Sequence, residues 1–68
     1  MTRPPFDEGD RIVLDAMPDD PDPVRRGERG VVLWVEPVLN CWHVGVRWDN
    51  GRTLALCMPP DTAHTERR

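Results

Sequence analysis

The sequence predicts an all-β fold of four or five short antiparallel strands. Apolar residues alternate with polar ones in runs of four to eight residues, which is the spacing of half-buried strands. Eight prolines and five glycines interrupt these runs, and no segment repeats its apolar residues at the 3.6-residue spacing of a helix. A chain of 68 residues forms one domain at most, with a small core.

The predicted fold is organised around a β-hairpin over residues 42–58, whose turn is Asp49-Asn50-Gly51. A two-residue turn at Asn50-Gly51 would divide the apolar residues between both faces. A three-residue turn, with Gly51 in the left-handed conformation, collects them on one face, so we expect this register. The inward face is then Trp42, Val44, Val46, Trp48, Leu54, Leu56 and Met58. The outward face is His43, Gly45, Arg47, Thr53, Ala55 and Cys57.

Two strands are predicted before the hairpin. In residues 11–15 the alternation directs Ile12 and Leu14 inward. Residues 31–36 form the second strand, and residues 31–35 are an unbroken apolar run, so the inward face of this strand is ambiguous. We expect Val31, Leu33 and Val35 to face inward and Val32 and Trp34 outward, and a bulge in the run would change this assignment.

The segment between these strands, residues 16–27, is predicted to be a long, stiff, acidic loop. It holds three prolines and the three aspartates Asp19, Asp20 and Asp22, a composition that excludes helix interiors and central strands. Gly27 and Gly30 then predict a tight turn in which both glycines can adopt positive φ. Residues 37–41 are predicted to be a connecting turn.

The remaining assignments concern the two ends of the chain. Residues 1–8 are expected to be a flexible segment, with Phe6 folding back over a core edge rather than anchoring a partner. A helical turn and a short fifth strand are predicted within residues 62–65, and residues 66–68 are expected to be a frayed tail. Together these elements predict a small, bent SH3-like barrel over residues 9–65, with a five-stranded OB-type barrel as the alternative.

Charge and composition restrict the possible partners. The net charge of −3 argues against nonspecific nucleic-acid binding as the main role. Residues 1–24 hold seven carboxylates and two arginines, whereas residues 25–68 hold seven arginines and five carboxylates. No apolar run approaches the about 20 residues that span a bilayer, and no basic-then-apolar segment begins the chain. We therefore expect a cytoplasmic protein with no membrane partner.

The short motifs resemble one family of small bacterial proteins. These motifs are Gly-Asp-Arg at 9–11, Asp-Asp-Pro at 19–21, Gly-x-x-Gly at 27–30 and Trp-Asp-Asn-Gly at 48–51. The family is known only as a domain of unknown function and occurs often in phage and plasmid neighbourhoods. The resemblance covers about residues 9–61. It implies an SH3-type barrel and transfers no functional residues, because the family has no established activity.

A second resemblance is carried by fewer residues. The Gly-Asp-Arg start and the Gly-x-x-Gly-x-Val turn are similar to KOW-type barrels of transcription and ribosomal proteins. Some of the basic residues that such barrels carry around the turn are missing here. This similarity implies a nucleic-acid-binding module as the alternative function.

Catalysis and bound cofactors are not expected. The chain has no serine, lysine or tyrosine, which removes serine and lysine nucleophiles and the lysine of a phosphate loop. A cysteine–histidine pair exists only as the cross-strand pair Cys57 and His43, without a visible cleft. The aspartates around residues 15–22 do not have EF-hand spacing, so no calcium site is expected. We therefore predict a protein that is not an enzyme and holds no cofactor.

The two cysteines are expected to form neither a metal site nor a disulfide. Cys41, His43, Cys57 and His64 could be drawn as a zinc site, but their spacing matches no common zinc module, so no metal is expected. A bond between Cys41 and Cys57 would cross a strand diagonal of roughly 7–8 Å, at or beyond the usual limit. We expect two free thiols that act as small apolar fillers.

Protein binding is the leading functional prediction. Trp34 is expected to be an exposed interface anchor, with a core or edge-covering tryptophan as the alternative. An acidic loop and an arginine patch would contribute, although both could simply be solvated surface. The predicted patch and loop residues are Arg25, Arg26, Arg29, Arg47, Arg52, Asp19, Asp20 and Asp22. We expect a non-enzymatic protein-interaction module of a mobile genetic element or accessory type, able to inhibit or adapt a host protein.

Two alternative functions remain beside protein binding. In a KOW-like nucleic-acid-binding module the same five arginines would contact phosphate. In a metal-stabilised module the cysteines and histidines would act as ligands.

Overall fold

All the β-strands of the described chain belong to a single antiparallel sheet. The computed structural model describes residues 3–66, which form five β-strands and no helix. The sheet order is β4-β3-β2-β1-β5, and every neighbouring pair is antiparallel. The strands are β1 Arg11–Ala16, β2 Arg29–Val38, β3 Cys41–Trp48, β4 Leu56–Met58 and β5 Thr62–Thr65.

The all-β prediction with four or five antiparallel strands is therefore confirmed. Residues 1–2 of the predicted flexible segment and residues 67–68 of the predicted tail lie outside the described residues. Between residues 3 and 66 the chain forms no helix that could cross a bilayer.

β1 follows its predicted alternation. Ile12 and Leu14 are fully buried, and Phe6 folds back into the same core as expected. The two residues before β1 also form backbone hydrogen bonds with β2. Gly9 N–H donates to Val32 O at 2.8 Å, and Val32 N–H donates to Asp10 O at 2.9 Å.

The hairpin has the register predicted for a three-residue turn. Trp42 lies opposite Met58, Val44 opposite Leu56, and Arg47 opposite Thr53. Gly51 has a φ of +95°, which its lack of a Cβ permits without steric cost. The apolar face predicted to be inward is buried or packed against the core along its whole length.

The inward face of β2 was predicted wrongly in its first half. Val32 is buried, whereas Leu33 is 37% exposed. The pairing with β3 shifts between Val32 and Trp34, so Leu33 is the extra residue of a bulge. The bulge places Val32 and Val35 on the core side although they are three residues apart. Val31 therefore faces outward, against the prediction, and the outward direction of Trp34 is confirmed.

Gly30 was also placed wrongly in a positive-φ turn. It is a buried residue of β2, where a Cβ would lie 2.7 Å from Val46 Cγ1 and 2.9 Å from Trp48 Cε3. Glycine is needed there because β2 packs closely against these side chains. Of the two glycines predicted to form this turn, only Gly27 has the left-handed conformation, with a φ of +88°.

Residues 17–28 connect β1 with β2 and are anchored in the core at two points. Met17 and Val24 are buried there with the strand residues. Two backbone hydrogen bonds close the end of the connection: Gly27 N–H donates to Leu14 O at 2.8 Å, and Leu14 N–H donates to Glu28 O at 2.9 Å. The segment between the anchors is held against the sheet at both ends.

The chain connectivity requires the sheet to curl. β4 and β5 are the two edge strands, yet only residues 59–61 join them. In a flat sheet their separation would be four strand spacings, about 19 Å. The chain from Met58 to Thr62 reaches at most about 15 Å. The sheet therefore bends around the core, and its other face is turned outward.

We expect two leucine substitutions, one in the core and one on the surface, to change the free energy of unfolding by different amounts. Leu56→Ala removes a fully buried side chain and should lower the free energy of unfolding by about 3 kcal/mol. Leu39→Ala, the matched control at a position that is 96% exposed, should change it by less than about 0.5 kcal/mol. Urea unfolding measures both, and equal losses would contradict this core.

Candidate functional site

Trp34 is the largest apolar side chain on the outer face of the sheet. It lies opposite Gly45 in the β2–β3 register, and a Cβ on Gly45 would collide with its indole ring. The ring is 38% exposed and meets the His43 imidazole edge-on, with centroids 5.0 Å apart and planes at 73°. The tryptophan therefore lies flat on the sheet, outside the core, with one side facing solvent.

A disulfide joins Cys41 of β3 to Cys57 of β4, against the prediction of free thiols. The register was predicted correctly, because His43 lies opposite Cys57. The Cα atoms are nevertheless only 5.9 Å apart, which lies within bridging distance. The predicted separation assumed an untwisted ladder, and the right-handed twist of paired strands shortens one of the two diagonals.

The disulfide also bears on the zinc alternative. Zinc binds thiolate sulfur, and both sulfurs are bonded to each other here. Among the residues that the structure describes, no three histidine, cysteine or carboxylate side chains are grouped so as to hold a metal ion. The two cysteines link β3 to β4 on the outer face rather than fill the core.

A groove lies on the outer face beside His43. The β1–β2 connection forms one wall with Asp19, Asp20 and Pro21, and the β3–β4 hairpin forms the other. Its volume is about 370 Å³. We call this the acidic groove, and its lining residues are Asp19, Asp20, Pro21, His43, Ala55, Cys57, Pro60 and Asp61. Because Trp34 packs on His43, the groove and the tryptophan form one continuous surface.

The predicted acidic loop is divided by the fold. Asp19 and Asp20 face the groove, whereas Asp22 is engaged by Arg52. The Arg52 guanidinium donates to the Asp22 carbonyl at 2.9 Å and lies 3.7 Å from its carboxylate. Asp22 therefore neutralises one of the predicted patch arginines.

A second depression lies at the turn between β2 and β3. It also has a volume of about 370 Å³, and its lining carries no charged side chain: Pro37, Val38, Leu39, Asn40, Cys41, Trp42, Met58 and Pro59. Val38 is exposed, and Leu39 is 96% exposed. The two depressions meet at the disulfide, since Cys41 lines one and Cys57 the other.

Residues 37–41 were predicted only as a connecting turn, so this surface was not predicted. A signal was present, because Val38 and Leu39 stand where turns usually carry small polar residues. Two adjacent aliphatic residues at a turn can indicate an exposed contact surface as well as a core contact.

Four of the predicted patch arginines lie in or beside two turns, residues 25–28 and 49–51, whereas Arg47 lies in β3. These turns meet through a backbone hydrogen bond from Asp49 N–H to Arg29 O at 2.8 Å. Arg29 forms an ion pair with Glu66 at 2.6 Å. Arg25, Arg26 and Arg47 are exposed and have no carboxylate within 4.0 Å among residues 3–66. Of the five predicted arginines, Arg29 and Arg52 are therefore paired with carboxylates.

Arg11, which was not among the predicted site residues, holds the hairpin turn to β1. Its guanidinium donates two hydrogen bonds to the Asp49 carboxylate, at 3.0 and 2.9 Å. These hydrogen bonds lower the pKa of Asp49 below its ordinary value and raise the pKa of Arg11. The pair joins β1 to the hairpin turn and so has a structural role.

The fold and its outer face define a small all-β protein with two adjoining depressions beside an exposed tryptophan. The family model described as a domain of unknown function, DUF4314, matches residues 1–65, so the chain belongs to this family. The predicted membership of an uncharacterised family is thereby confirmed. No curated protein and no solved structure matches the chain.

The contact between Trp34 and Gly45 can be tested by a double-mutant cycle. Gly45→Ala should lower the free energy of unfolding by about 1–3 kcal/mol, because the new methyl displaces the indole. In a Trp34→Ala background the same change should cost much less, since the ring is gone. Urea unfolding of the four proteins gives the coupling, and an equal cost in both backgrounds would contradict this placement of Trp34.

Proposed function

We propose that the protein is a non-enzymatic binding module that docks onto another protein through β2 and the turn that follows it. One observation carries this proposal. In the described part of the chain, the exposed large apolar side chains all lie on this strand and turn. We call them the β2 apolar surface, and they are Leu33, Trp34, Val38 and Leu39.

Grouped exposure of this kind requires an explanation. Single exposed apolar residues are normal on soluble proteins, whereas a contiguous group marks an interaction surface. Trp34 adds the residue type most enriched among interface residues that dominate binding energy. Leu39 is almost fully exposed, so it contributes almost nothing to the core. Burial of its apolar surface by a partner would therefore lower the free energy of the complex.

We further propose that the curled sheet is an SH3-like barrel. The support is the strand order, in which β2, β3 and β4 form a meander and β5 returns beside β1. The short link between the edge strands draws them toward each other. In this arrangement the β2 apolar surface lies outside the barrel and remains accessible to a partner.

The biological setting belongs to the proposal as well. The resemblance to proteins of phage and plasmid neighbourhoods favours a mobile-element or accessory protein whose partner is a host protein. A cytoplasmic location would expose the Cys41–Cys57 bond to cellular thiols. Binding measurements should therefore be made with and without reductant.

The docking proposal predicts that a surface residue matters for binding but not for folding. Leu39→Ser should leave the melting temperature unchanged and lower capture of a specific host protein at least tenfold. Trp34→Ala should weaken binding by about 30-fold. The matched control is Ala16→Ser at an exposed position of β1, which should bind as the wild type does.

Affinity capture from a host lysate with quantitative mass spectrometry measures the first effect. Titration with the purified captured protein measures the second. Equal capture by the wild type and Leu39→Ser, or capture of no protein above the background of beads alone, would overturn the proposal.

Nucleic-acid binding is the second candidate, because four of the predicted arginines lie in or beside two turns that a backbone hydrogen bond joins. In that case tryptophan fluorescence should change when DNA or RNA is added at low salt, and affinity should fall steeply as salt rises. Arg25→Ala with Arg26→Ala should reduce binding. A flat titration with both nucleic acids at low salt would eliminate this candidate.

A further inference from the structure

We propose that the acidic groove receives a lysine or arginine side chain of the partner protein, next to the segment that covers Trp34. This inference rests on the proposed function and specifies the chemistry of its partner. It is carried by the shape of the groove, by its charge and by its position beside an exposed aromatic ring.

The lining of the groove suits the methylene stem of a long basic side chain. Ala55, Cys57, Pro21 and Pro60 present apolar atoms, and the His43 ring adds a flat surface. Lysine and arginine bury their stems along such surfaces and keep the charged group at a polar edge. An acidic side chain would meet the same apolar lining, but carboxylates of its own sign.

The charge of the groove selects a cation. Its lining includes no lysine or arginine. Neither Asp19 nor Asp20 has an ion pair with a basic residue in the described chain. Asp61 is already engaged, since its buried carboxylate accepts the Cys57 N–H at 2.9 Å. Two carboxylates therefore remain for charge-assisted hydrogen bonds to an ammonium or guanidinium group.

These carboxylates are held before a partner arrives. Pro18 and Pro21 flank them and restrict the backbone, and Met17 and Val24 anchor the connection in the core. Asp20 Oδ1 also accepts the Asp22 N–H at 2.8 Å. Because little ordering remains for the binding step, more of the interaction energy appears as affinity.

Trp34 favours the same occupant. Its ring packs on His43, which lines the groove, so a segment that enters the groove also passes the indole. Cations bind favourably over indole faces, and apolar neighbours of a basic residue would cover the rest of the ring. The expected partner segment therefore combines basic and apolar residues.

Other occupants fit the groove less well. A nucleic acid would bring phosphates to the wall that carries Asp19 and Asp20. A metal ion would need a group of three or more ligating side chains, which the described residues do not form. A basic protein segment is the occupant that both the apolar lining and the carboxylates accommodate.

A displayed library of random seven-residue peptides tests the proposal with the full chain as bait. Enriched peptides should contain lysine or arginine beside apolar residues. A synthetic copy of the most enriched peptide should bind Asp19→Asn/Asp20→Asn about fivefold more weakly, because two exposed ion pairs are lost. Asparagine keeps the oxygen that accepts the Asp22 N–H, so the connection should stay folded.

The matched control is Asp7→Asn/Glu8→Gln, which makes the same change of net charge at two exposed carboxylates outside the groove. It should bind the peptide as the wild type does. Replacing the basic residue of the peptide by glutamine should weaken its binding to the wild type about fivefold, but not its binding to the groove variant.

The outcomes separate this inference from the proposed function. Enrichment of neutral or acidic peptides whose binding is lost in Trp34→Ala overturns the groove assignment and leaves the docking surface intact. Equal weakening in the groove and control variants shows long-range charge attraction only, and also overturns it. Enrichment of no peptide overturns the inference, while host-protein capture by the wild type but not by Leu39→Ser would still uphold the docking function.

Discussion

The pairing of β2 with β3 is the constraint on which the rest of the molecule depends. It is the longest ladder in the sheet, and it contains one extra residue at Leu33. Before the bulge, Gly30 lets β2 approach Val46 and Trp48 closely, so the core forms on one side. Beyond the bulge, Gly45 makes room for the Trp34 indole on the other side. Two glycines and one inserted residue thus position both the core and the outer face.

The elements that sequence analysis predicted correctly are those governed by local chemistry. The hairpin register followed from a turn that needs positive φ at Gly51 and from strict alternation on both arms. β2 lacked such information, because an unbroken apolar run has no period that identifies its inward face. The bulge that resolves it is a response to packing against β3, which is a tertiary effect. The disulfide was missed for a related reason, since strand twist changes distances that an idealised ladder holds constant.

The candidate site shows the same division. The outward direction of Trp34 was predicted correctly, but from an alternation that holds only beyond the bulge at Leu33. The acidic groove could not be predicted, because it joins Asp19 and Asp20 to a hairpin more than 20 residues away in the sequence. The same holds for the arginines, whose carboxylate partners Asp22 and Glu66 are supplied by other parts of the chain. Val38 and Leu39 were visible in the sequence, but a turn assignment gave them no role.

The position of Leu39 has a consequence for how such a protein can evolve. A side chain that contributes nothing to folding can be exchanged without a compensating change in the core. The residue type at position 39 can then change with the surface of a partner. Two related chains could keep the same sheet and the same stability while they differ in the side chains of this single turn. Under the proposed function, a binding module whose partner changes would gain from that separation between the part that folds and the part that binds.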